Sequence, residues 1–114
     1  MATPSLATRA YANTNAQRNL RTQEADVFHR VNAALWRALD GTPLDRVRAF
    51  ADNDLLWSTV GVVAADPDNR LPQPVRANLI SIGQTVRREM QGNAPDLGFL
   101  LQVNENVAAG LMGT

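Results

Sequence analysis

Apolar residues along this chain recur three and four positions apart, and nowhere do they alternate with polar ones for long enough to make a strand. From about Thr22 to Leu39 the positions Val27, Phe28, Val31, Ala34, Leu35, Ala38 and Leu39 form one stripe. Thr22 can cap this helix, Glu24 and Asp26 place negative charge in its first turn, and Asp40-Gly41 ends it, glycine tolerating a left-handed terminus. Thr42-Pro43 with Asp45 starts the next helix, predicted over residues 43–66. Within it Asn53 shares a face with Phe50, Trp57, Val60 and Ala64, and a polar residue there predicts a break recapped by Asn53. A further helix, 72–91, carries Val75, Leu79, Ile82, Val86 and Met90 as a narrow seam and stops at Gly92-Asn93. The last, 95–111, carries Leu97, Leu100, Leu101, Val107, Ala108 and Leu111. An Ala-rich stretch, Pro4 to Asn13, reads as a weaker first helix.

Connections of a few residues favour antiparallel neighbours. The expected fold is therefore all-α: a compact single-domain bundle of four to five helices with up-and-down connections, spanning residues 1–114, with 1–20 as its more mobile part. Leu35, Trp57, Leu79, Ile82 and Leu101 are its expected buried residues.

Composition narrows the function. With 45% hydrophobic and 19% charged residues the chain is globular. No apolar run approaches the roughly 18 residues that cross a bilayer, and the first residues lack the pattern of a signal peptide, so the cytoplasm is the expected location. The absence of cysteine removes disulfides, thiol catalysis and cysteine-based zinc sites. All eleven basic residues are Arg, balanced by eleven acids, so the basic excess of a nucleic-acid binder is missing. Seven Arg and four acids lie up to Arg48, four Arg and seven acids beyond it, a mild dipole.

No catalytic set assembles. His29 is the only histidine, with only Asp26 at helical spacing, and reads as a surface residue. Asp66 and Asp68 lack the glycine turn and following Glu of a calcium loop and read as helix-end charges. The glycines form no phosphate-cradling loop. The expectation is no enzyme, no cofactor and no metal.

Several residues fit the stripes poorly. Asn104 lies inside the last apolar stripe, either as a satisfied core residue fixing helix register or as a contact for an incoming partner. Ile80 sits off its seam between Arg76 and Arg87, and Gly83 permits a close backbone approach. Both suit a helix packed on two sides, or a groove awaiting a peptide helix. Trp36 falls beside His29, a quarter-turn from its stripe, where either a broad core reaches it or it anchors a partner. If a surface is reserved for a partner, its candidates are Tyr11, His29, Trp36, Arg76, Ile80, Arg87 and Asn104.

One stretch carries more than periodicity. Asn53, Leu56-Trp57, Asp66, Asn69, Leu71-Pro72, Arg76-Ala77 and Leu79-Ile80-Ser81-Ile82 match the pattern N-x-x-L-W … D-x-x-N-x-L-P-x-x-L-R-A-x-L-I-S-I. This resembles the core signature of the flagellar FlaF family. Ala10-Tyr11, Thr22-x-Glu24 before Val27-Phe28, and a closing helix with Asn104 and Gly110-Leu111 extend the resemblance over most of the chain. Val75 stands where a Leu is typical, and Gln23 interrupts a common Thr-Glu pair.

The resemblance implies a non-enzymatic cytoplasmic factor required for flagellin synthesis and export. It would act as a chaperone for an amphipathic terminal segment of flagellin, with FlbT as a further partner. The alternative it carries is a post-transcriptional regulator of flagellin messenger RNA, acting directly or through FlbT. Few aromatic residues and zero net charge weigh against direct RNA contact.

Overall fold

The computed structural model describes residues 25–113, and among these there are four helices and no strand. We number them α1 (residues 25–39), α2 (Pro43–Ala65), α3 (Gln73–Met90) and α4 (Leu97–Gly113). The expected Pro4–Asn13 helix, Thr22, Glu24 and Tyr11 lie outside the described residues.

The connections reverse the chain each time. Phe28 meets Trp57 while Arg46 Nε donates to the Ala38 carbonyl, so α1 and α2 run antiparallel. Asn53 reaches Met90, Asp54 reaches Arg87 and Trp57 lies against Gly83, a descending series that makes α2 and α3 antiparallel too. Asn104 of α4 contacts both Trp57 and Asn53, and Asn32 of α1 donates to the Leu101 carbonyl at 3.4 Å. The expected up-and-down bundle is the observed one.

Local chemistry sets the helix ends. α2 opens with a reciprocal capping box: Asp45 N–H donates to Thr42 Oγ1 at 3.2 Å, and Thr42 N–H donates to Asp45 Oδ2 at 3.0 Å. Bonding from the Thr42 backbone, and then from its hydroxyl, holds the Asp45 carboxyl below its ordinary range. α4 starts at Leu97 because Asp96 caps it, Oδ1 accepting from Phe99 N–H at 3.2 Å, while Glu89 Oε1 accepts from Asp96 N–H at 2.9 Å. Arg87 and Arg88 in the last turn of α3 face the negative end of its dipole.

The α2–α3 corner is organised by Asn69. Its Nδ2 donates to the Val63 carbonyl at 2.8 Å, its Oδ1 accepts from Leu71 N–H at 2.8 Å, and its own carbonyl accepts from Arg76 Nη1 at 3.4 Å. Asp66 Oδ1 accepts from Asp68 N–H at 2.9 Å. One side chain thus satisfies an open carbonyl at the end of α2 and the first amide beyond the turn.

The core gathers Phe28, Leu35, Ala38, Ala49, Leu56, Trp57, Val86, Leu100, Leu101 and Ala108. Of the five residues expected inside, Leu35, Trp57 and Leu101 are buried, whereas Leu79 and Ile82 are only half-buried. Val27 and Leu39 on α1 and Val75 on α3 were assigned to apolar stripes and are exposed. They lie at the margins of faces that the other helices cover only near the centre. The expected break at Asn53 does not occur: α2 is continuous, and Asn53 is fully buried in its middle. Gly41 needs no left-handed backbone, since no described residue has a positive φ. A Cβ there would stand 2.7 Å from Asp45 Oδ2 and 2.8 Å from the Arg37 carbonyl, so close approach is what requires glycine.

Candidate functional site

The bundle has a polar centre. Trp57 is buried, its ring edge-to-face with Phe28 at 5.7 Å between centroids and its six-membered ring side against Gly83. The indole N–H can only donate, and it donates to Asn104 Oδ1 at 2.9 Å. That contact orients the next one: Asn104 Nδ2 must face outward from the indole and donates to Asn53 Oδ1 at 2.8 Å. Asn53 Nδ2 is then left to point at the Met90 thioether, a weak acceptor, at 3.2 Å. A directed chain, Trp57 to Asn104 to Asn53 to Met90, ties α2 to α4 and α3 through groups with almost no exposure.

Sliding α4 along α2 by one turn would orphan the indole N–H and both amides, each at a cost of about 1–3 kcal/mol. The arrangement therefore selects one helix register. Asn104 meets the register-fixing expectation, and burial with both side-chain polar atoms bonded withdraws it from any surface. A third buried asparagine, Asn32, binds the Leu101 carbonyl through Nδ2 while its Oδ1 has no partner.

Gly83 resolves in the same way. A Cβ on it would lie 3.3 Å from Trp57 Cε3, so the close neighbour is α2 itself.

The remaining candidates lie on two helices. On α1, Trp36 is 57% exposed and His29, seven residues earlier, is exposed on the same side. His29 also lines a shallow open depression with Asp26, Arg30 and Ala33. On α3, Arg76, Ile80 and Arg87 share a face, but each is engaged or partly covered. Arg76 is half-buried, tied to the Asn69 carbonyl, with Nε lacking a partner. Ile80 is half-buried, and Arg87 Nε pairs with Asp54 Oδ1 at 3.2 Å.

Sequence reasoning missed a second apolar face on α2. Leu44, Val47, Leu55 and Val62 are all more than half exposed, and Ala51 is exposed between them. They run along the side of the helix opposite Ala49, Asn53, Leu56 and Trp57. Their spacing, three, four, four and then seven, was visible in the sequence. The buried stripe on the same helix obscured it.

Among the described residues no three His, Cys, Asp or Glu side chains gather as a metal site, and no helix is long and apolar enough to cross a membrane. The fold and its centre define an all-α bundle held in register by a buried asparagine–tryptophan chain. A family model described as flagellar protein FlaF matches residues 7–111, and the chain belongs to that family. No curated protein and no solved structure matches it.

The family signature now has a physical account. Asn53, Leu56 and Trp57 supply the core and its polar chain, Asp66 and Asn69 build the corner, and Arg76 ties α3 back to that corner. Most of the signature is architectural.

Proposed function

We propose that this protein is a cytoplasmic, non-enzymatic factor in bacterial flagellum assembly that binds an amphipathic terminal segment of flagellin and acts as a secretion chaperone or regulator. Membership of the FlaF family supports the flagellar role. Trp36 carries the binding reading. A tryptophan 57% exposed on an outer helix face, with exposed Val27 and Leu39 on the same helix, is costly to leave in water and is the residue type that concentrates interface energy. An amphipathic helix laid across α1 would cover it. His29 lies on the same side, at the rim of that contact.

Calorimetry with full-length flagellin and versions truncated at either end tests this. One truncation should abolish binding, and Trp36→Ser should weaken it by about 1–3 kcal/mol with the melting temperature unchanged. Equal binding of all truncations, or none, would sink the proposal.

A further inference from the structure

The outer face of α2 is the largest feature that neither the bundle nor the proposed flagellin contact uses. It runs from Leu44 to Val62, roughly 27 Å of helix. Leu44, Val47, Ala51, Leu55 and Val62 line it, and no charged side chain lies along its middle. A continuous apolar strip of this kind marks an interaction surface.

Its order of residues identifies the occupant. Leu44 and Val62 are centred on position 53, and so are Ala51 and Leu55. A helix with this arrangement is complementary to itself run in the opposite direction. We propose that α2 pairs with α2 of a second copy of this chain, antiparallel, about a twofold axis beside Asn53.

In that pairing Leu55 packs over the partner's Ala51, and Ala51 under the partner's Leu55, large against small on both sides of the axis. Leu44 meets the partner's Val62, and Val47 meets the methyl of the partner's Thr59. Every apolar residue of the strip finds a counterpart and none overhangs, which is the requirement of an isologous interface.

The charges agree. Antiparallel helices bring like flanks together, so Asp54 comes near the partner's Asp54 close to the axis. Each carries its own Arg87, bonded through Nε at 3.2 Å, and the four remaining guanidinium N–H donors are available to bridge across. Two acids and two guanidiniums then alternate at the edge of the contact.

A single helix face of this length offers less than the ~800 Å² per partner of a standard interface. The pair is accordingly reversible and forms with rising concentration.

Sedimentation equilibrium from micromolar to millimolar concentration tests the pairing. The wild type should pass from monomer to dimer. Leu55→Glu and Val62→Asp should each weaken association at least about tenfold while leaving the helical spectrum and the monomer's melting temperature unchanged. The natural chain has no cysteine, so single thiols report register cleanly. Ala51→Cys mixed with Leu55→Cys should cross-link faster than either variant with itself.

A wild type that stays monomeric at every concentration overturns the proposal. So does a dimer indifferent to Leu55→Glu, or faster self-linking of Ala51→Cys, which would signal a parallel or shifted pairing. A lower melting temperature in monomeric Leu55→Glu would mean that this same chain covers the strip. Flagellin capture by a monomer, lost in Leu55→Glu, would assign the strip to flagellin and also overturn the pairing.

Discussion

At the scale of single residues, Asn104 has the greatest leverage. It accepts from a donor that has no other role and donates to an amide whose orientation it thereby sets. Replacing it with Ala orphans the Trp57 N–H and Asn53 Oδ1 in an interior without exposure, and leaves a small void as well. Asn104→Ala should lower stability by about 2–4 kcal/mol in chemical denaturation. A loss within experimental error would show that water enters and satisfies both groups. Residues of this kind are the least legible in a sequence. Asn53 on an apolar face reads as a helix break because its hydrogen-bond partner lies fifty-one positions away, on another helix. No local pattern reports that partner. Asn104, flanked by a stripe on both sides, was easier to place because a break there would have destroyed the last helix.

At the scale of elements, helix ends were legible and helix faces less so. Thr42, Pro43 and Asp45 act within four positions of one another, and the structure realises the cap that they encode. Removing the Thr42 hydroxyl with Thr42→Ala should cost about 1 kcal/mol, measured by thermal melts. The same cap predicts an acid response. The folded-state pKa of Asp45 is depressed, so its stabilising effect is present above the unfolded value and lost as pH falls through the folded one. Amide exchange in the first turn of α2 should therefore accelerate below pH about 4, and Asp45→Asn should remove that pH dependence. Faces failed where width mattered. Val27, Leu39 and Val75 belong to the right stripes but stand at margins that no neighbour reaches. Leu79 and Ile82 are half-buried for the same reason, because α3 packs chiefly through Gly83 and Val86. On α2 the difficulty was the reverse: two apolar faces on one helix blur into a single hydrophobic segment.

At the scale of the molecule, the all-α up-and-down architecture was fully legible, since it follows from helix periodicity and short connections alone. The candidate surface was legible only in part. His29 and Trp36 are exposed as a docking patch requires, Asn104 is internal, Arg76 is committed to the α2–α3 corner, and Tyr11 lies outside the described residues. Exposure depends on which helices flank a face, and that arrangement is set by contacts between residues remote in sequence.

The two tryptophans occupy opposite environments, and this gives the protein a pair of built-in optical reporters. Trp57, sealed against Phe28 and Gly83, should emit at the blue end of the indole range and resist iodide. Trp36 should emit at the red end and be readily quenched. Trp36→Phe should leave a spectrum that iodide scarcely dims; strong residual quenching would contradict the burial of Trp57. A ligand covering α1 would shift emission to the blue, whereas unfolding would shift it to the red. One fluorescence titration can therefore distinguish occupation of the outer surface from loss of the core.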